Sequence, residues 1–136
     1  LGPDMSTSNT PMTWATLAGI VLVAAGLLGF LGTTIVGPGD GAIVRTDTTH
    51  NIVHLLTGAI ALFIAFGMKG EQQVSAVLGF GVLYVVIFVA VLVSPTLFGL
   101  FQAPANTAVH VIHAAVAVVS LAVGWMARGS ASAMAR

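Results

Sequence analysis

Four long apolar stretches, separated by short polar or glycine- and proline-bearing segments, dominate the chain. They run from about Trp14 to Val36, Asn51 to Met68, Val74 to Phe98 and Thr107 to Ala127. Crossing a hydrocarbon layer of about 30 Å takes roughly 20 apolar residues in a helix that rises about 1.5 Å per residue. The first and third stretches exceed that length, and the second and fourth lie near its lower limit. None alternates apolar with polar residues, as the strands of a closed barrel would. In lipid every backbone amide must be bonded internally, so helices are the solution left. The pattern predicts an all-α integral membrane protein, a four-helix bundle spanning residues 14–127.

The connections differ in character. Gly37-Pro38-Gly39-Asp40-Gly41 ends the first span and opens a loop that carries Arg45 and Asp47. Lys69-Gly70-Glu71-Gln72-Gln73 is a tight polar turn that makes the second and third helices antiparallel neighbours. Ser94-Pro95 begins the end of the third span, because proline lacks an amide donor and disfavours helix at the residue before it. From there to Asn106 the chain is uncharged and partly apolar, suited to the membrane surface. Residues 1–13 read as a vector remnant, Leu1 to Asp4, ahead of a start at Met5 and a mobile polar stretch; residues 128–136 read as a C-terminal tail. No basic residue precedes the first span, so a cleaved signal peptide is not expected.

Composition narrows the function classes. Of 136 residues, 57% are hydrophobic and 6% charged, with zero formal net charge, against about 25% charged in a soluble domain. Such a surface offers no electrostatic footprint for nucleic acid. The absence of cysteine removes disulfides, thiolate ligands and thiol nucleophiles. Lys69, Arg128 and Arg136 fall on the side of both termini and Arg45 on the other, which predicts cytoplasmic termini in a bacterial inner membrane. Trp14 and Trp125 fall at that same face, where indoles favour the interface.

All four histidines, His50, His54, His110 and His113, stand at the beginnings of the second and fourth spans. Spacings of four and three put each pair on one helical face. Asp47 to Asn51 offers caps for the second helix, and Asn106 or Thr107 for the fourth. Sliding the chain by 59 positions sets His54 on His113 and Asn51 on His110, so the bundle also reads as two repeated helical hairpins. Glycines Gly26, Gly29 and Gly32 recur every third position, with Gly19, Ala18 and Ala25 nearby, as an intramolecular packing seam. Gly79 and Gly81 begin a shorter one in the third span, and Ala114, Ala115 and Ala117 give the fourth helix a tight face.

Three uses of the histidines compete. In the leading one, each ring donates to a loop or helix carbonyl and ties the bundle together, giving a structural or interaction protein. In the second, His54 and His113 ligate haem b between helices, with the glycines of the first span leaving room for the macrocycle. In the third, His50, His54, His110 and His113 form a zinc, copper or nickel site, for which neutral imidazole is a suitable ligand. Glu71 stands alone, the serines lack a partnering base and Tyr84 sits mid-span, so no catalytic set is evident and the chain reads as a non-enzyme. The lipid bilayer is the expected partner, with a membrane protein or a second copy of the chain in addition.

Gly26-Leu27-Leu28-Gly29-Phe30, Asn51-Ile52-Val53-His54-Leu55-Leu56-Thr57-Gly58, and Leu97-Phe98-Gly99-Leu100 leading to Asn106-Thr107-Ala108 and His113 resemble a widespread bacterial family. Its members are small four-span membrane proteins classed as a domain of unknown function. The resemblance extends from Thr13 to about Gly124, and Asn-x-x-His-Leu-x-x-Gly is its most specific piece. Where the family tends to carry Asp-Asn-x-x-His at the fourth span, this chain has Val109-His110-Val111-Ile112-His113, so a carboxylate is missing. The resemblance implies a plasma-membrane location and the fold already derived, and it supplies no reaction.

Overall fold

A computed structural model describes residues 4–135, with side chains over residues 9–129. Four helices account for the architecture: α1 (Asp4–Phe30), α2 (Thr48–Gly67), α3 (Gly70–Val93) and α4 (Thr107–Ala135). Each contains a segment long and apolar enough to cross a membrane, and the chain is a multi-pass membrane protein. Two short strands, β1 (Val36–Gly37) and β2 (Val44–Arg45), pair in parallel within the α1–α2 connection. That connection and the one between α3 and α4 lie at one end of the bundle, the loop end. The α2–α3 turn lies at the other, with the start of α1 and the end of α4.

Helix ends depart from the sequence pattern in ways that local chemistry explains. The polar stretch expected to be mobile is helical from Asp4, with Pro11 inside the helix. Leu1 to Pro3, part of the expected remnant, lie outside the described residues. At its other end α1 stops at Phe30 rather than running to Val36. There Thr33 donates to the Leu28 carbonyl, Gly32 donates to that of Gly29, and Gly32 takes φ +67°. This is the glycine-terminated helix stop in which a left-handed residue satisfies the last carbonyls. Gly32 therefore ends the helix and does not extend the packing seam. Helix α3 ends at Val93, earlier than Phe98, because Pro95 follows Ser94. Beyond it Leu97 and Phe98 adopt φ of 47° and 57°, and Gly99 one of 92°. The expected tail 128–136 continues α4 to Ala135, and Arg136 lies outside the described residues.

Lipid provides no hydrophobic drive between helices, so close backbone approach and side-chain packing must hold them. Two antiparallel pairs show this. Between α1 and α2, a Cβ on Gly19 would sit 3.0 Å from the Gly58 carbonyl, and one on Gly58 would sit 2.9 Å from the Val23 amide. Gly26 is filled by Leu55, and a Cβ on Gly29 would collide with the Asn51 side chain. Between α3 and α4, Gly81 receives Leu121 and Gly124 receives Leu78. Gly79 faces open space instead of a seam.

The two pairs meet less closely. Helix α1 also touches α4, where Trp14 Nε1 donates to Ser120 Oγ at 2.8 Å. That bond draws Trp14 inward and leaves Trp125, 71% exposed, as the interfacial indole. The turn between α2 and α3 makes them chain neighbours, but they pack loosely and leave an apolar cleft of about 270 Å³ between Ile60, Phe63, Phe80 and Leu83. Gln73 Nε2 closes the turn by donating to the carbonyls of Ile64, Ala65 and Met68 at 3.0–3.1 Å. Among the described residues α2 and α4 show no close backbone approach, so they occupy opposite corners. Leu22, Val77, Phe80, Tyr84 and Val116 fill the centre.

The glycine contacts predict a contrast between two conservative changes. Gly58→Ala must displace the Val23 backbone and should cost about 1–3 kcal/mol, as overpacking does. Gly79→Ala meets nothing and should be neutral or stabilise by up to about 1 kcal/mol through helix propensity. Thermal unfolding of the detergent-solubilised variants measures both.

Candidate functional site: a buried histidine trio

The loop end of α2 is built around Asp47. Its Oδ1 accepts from the His50 amide at 2.9 Å, capping the helix. Its Oδ2 accepts from the amides of Gln102 and Ala103, the latter at 3.1 Å. One carboxylate thus fixes the helix that carries His50 and His54 and pins the α3–α4 loop above them. Asn106 does the corresponding work for α4. Its Oδ1 accepts from the Val109 and Arg45 amides at 3.3 Å, and its Nδ2 donates to the Ile43 carbonyl at 3.0 Å. Asn51 accepts from Thr46 Oγ1 at 2.6 Å and packs on Gly29, holding α2 in register with α1.

Those anchors bring three of the four histidines together. His50, His54 and His113 are 0%, 2% and 2% exposed, and one ring nitrogen from each lies within 4.8 Å of the others. His50 and His54 are one turn apart on α2, with ring centroids 4.4 Å apart; the His113 ring comes from α4 and lies 5.5 Å from His50 and 6.2 Å from His54. Meeting across the bundle does not require adjacent helices, because the wide corner-to-corner gap between α2 and α4 is what the rings fill. His110 is only half-buried and does not belong to the trio, so the four-histidine cluster reduces to three.

Aromatic and apolar groups surround the rings. Phe101 stacks on His50 with centroids 4.5 Å apart and planes 4° from parallel. Tyr84 meets His113 edge-on at 5.8 Å, while its hydroxyl pairs with Thr57 Oγ1 at 2.7 Å. Both nitrogens of His50 and of His54, and Nδ1 of His110 and His113, are buried without a hydrogen-bond partner. The expected tie from each ring to a carbonyl is therefore not what the structure contains for His50 and His54. Helix carbonyls are engaged in their own ladders, and the ring facing His50 from the loop is phenyl. Leaving such nitrogens unmade costs about 1–3 kcal/mol per group.

A haem between His54 and His113 does not fit this arrangement. The macrocycle would need open space all round the line joining the two rings, and the His50 ring, 4.4 Å from His54 and 5.5 Å from His113, takes up one side of it. Gly26 and Gly29, expected to leave room for it, are filled by Leu55 and Asn51. The trio instead offers three nitrogen donors converging from two helices, a donor set suited to a d-block ion.

Sequence spacing placed the four histidines at the right end of the bundle and offered Asp47 to Asn51 and Asn106 or Thr107 as caps, of which the structure uses Asp47 and Asn106. Phe101, Tyr84, Thr57 and Thr46 were not singled out as site residues. Phe101 stands in a loop whose path no periodicity describes. A mid-span tyrosine in lipid, however, must find a partner for its hydroxyl, and that requirement was the available signal for Tyr84.

None of the curated proteins and none of the solved structures matches this chain. The family model of DUF4383, a domain of unknown function, matches residues 13–126, and the chain belongs to that family.

Proposed function

We propose that this membrane protein binds a d-block metal ion through His50, His54 and His113 and acts as a binding or carrying protein rather than an enzyme. One observation carries the reading: three buried imidazoles converge, with both nitrogens of His50 and His54 and Nδ1 of His113 unbonded. Buried polar atoms are normally paired, and each that is not calls for an explanation. Metal–nitrogen bonds of about 2.0–2.1 Å bring ligand nitrogens to about 3.4 Å from one another. Ring rotations of about 1 Å therefore close the trio around an ion. Neither Asp47 oxygen is available as a ligand, because both accept backbone amides.

The location of the site follows from charge and depth. Lys69 and Arg128 flank the end opposite the loops, and Arg45, paired with Asp40 at 2.9 Å, stands at the loop end. With basic residues retained on the cytoplasmic side, both termini are cytoplasmic and the trio lies in the outer leaflet of a bacterial inner membrane. The Asp47 latch and the Phe101 stack roof the site on the outer side.

Full-length protein purified in detergent, stripped with a chelator and reloaded separately with Zn(II) or Ag(I), should retain one equivalent of an ion. His54→Ala and His113→Ala should each weaken retention by at least about 100-fold, the upper range even for supporting residues of metal sites, whereas His110→Ala should keep it. Retention equal to that of the triple His50→Ala/His54→Ala/His113→Ala variant would leave the rings as packing elements only.

Ligand linkage supplies a second check. At a free-ion concentration 100 times the dissociation constant, the wild-type chain should gain about 2.7 kcal/mol of stability. His54→Ala should gain none under the same conditions, and thermal melts with and without ion decide between them.

A further inference from the structure

The charge distribution around the trio narrows the class of ion, on the footing of the metal-binding reading. The three donors are imidazoles, which bring no negative charge to a bound ion. Among the described residues the single buried carboxylate near them is Asp47, 6% exposed, placed on the residue where α2 begins. Asp40 is 90% exposed on its side chain and paired with Arg45. Glu71 stands in the first turn of α3, at the far end of the bundle. The surroundings are otherwise mainly apolar or aromatic, with Phe101 on His50 and Tyr84 on His113; the half-buried His110 ring lies near His113 but outside the group whose nitrogens converge.

We infer that the trio selects a monovalent d¹⁰ ion, Cu(I), over divalent Zn(II), Ni(II) or Co(II). The cost of moving an ion into a low-dielectric interior rises with the square of its charge in the Born description, and an unbalanced buried charge is the expensive case. One unit of positive charge has the Asp47 carboxylate, bonded to the His50 amide, as its one buried counter-charge among the described residues. Two units leave a net charge buried among aromatic rings. Coordination number points the same way. Zinc is almost always four-coordinate, with a protein or water ligand completing the tetrahedron. The Tyr84 hydroxyl is engaged by Thr57 and both Asp47 oxygens by amides. Three nitrogen donors in a closed apolar shell suit a trigonal d¹⁰ ion that needs no fourth ligand. Selection here rests on charge and coordination number rather than on sulfur, since the chain has no cysteine.

The test uses the full chain in detergent, titrated by chelator competition with Zn(II), Co(II), Ag(I) as a redox-silent probe, and Cu(I) held reduced with ascorbate. The ratio of Ag(I) to Zn(II) affinity should exceed that of free imidazole by about 100-fold, as expected where an unbalanced buried charge costs several kcal/mol. The preference should vanish in His54→Ala. Asp47→Asn, which removes the charge and keeps one of the two acceptor oxygens, should weaken Ag(I) binding about tenfold, a change typical of outer-shell partners, with the helix content by circular dichroism retained. Zn(II) or Co(II) binding as favourable, relative to imidazole, as Ag(I) binding overturns the monovalent assignment and leaves the metal site standing. Failure of every ion to bind above the triple-histidine variant overturns the site itself.

Discussion

Two glycine-tight helix pairs set against each other with a wide diagonal are the constraint from which the remaining features follow. Within each pair, backbones approach until a single added methyl group would collide, as at Gly58 against the Val23 amide. Lipid tails compete for every apolar side chain, so helices without this approach have little reason to associate. Between the pairs the fit is looser, and α2 and α4 face each other from opposite corners. Something large must fill that diagonal. Lower in the bundle Tyr84, Phe80 and Val116 do so; toward the loops it is filled by imidazole.

Polar groups at the loop end act less as isolated bonds than as a frame. Asp47 joins the first turn of α2 to the α3–α4 loop, and Asn106 joins the first turn of α4 to the α1–α2 connection. Each loop is thereby fastened to the helix that begins after the other loop. The consequence reaches the site directly. Phe101 is held over His50 because the two residues after it are pinned to Asp47, and His113 is set because its helix starts from a fixed cap. Left-handed backbone at Leu97 and Phe98, unusual for side chains of that size, bends the loop enough to bring Phe101 inward.

Membership in a family of unknown function gives the fold a context and leaves the chemistry to the residues. Val109 and His110 stand in the first turn of α4, beside the loop that covers the trio. Val109 is buried in the small apolar cluster with Val91, Phe101 and Ala105. Val109 therefore adds to the apolar roof of the site, and among the described residues the buried carboxylate there is Asp47.

How much of this was legible differs by scale. Span number and approximate position followed from apolar length, since a membrane rewards one simple quantity. The stretches that hold the caps, Asp47 to Asn51 and Asn106 to Thr107, were readable because N-cap chemistry is local; the choice of Asp47 and Asn106 within them belongs to the fold. Gly32 looked like a third step of a seam, because spacing alone does not reveal where a helix stops. His110 looked equivalent to His113, yet three residues turn a helix through 300° and leave the ring about 60° off the inward direction. The haem reading does not fit for a related reason, since nothing in the chain's order reveals that the His50 ring takes up the space beside both His54 and His113.

By itself, then, the sequence determined a four-span membrane bundle with its imidazoles gathered at one end, because apolar length and helical phase are properties of single segments. Only the tertiary structure decided which three rings meet, what covers them and which carboxylate lies beside them. Those are relations between helices on opposite corners, and their geometry is set by how closely glycine allows each pair to pack.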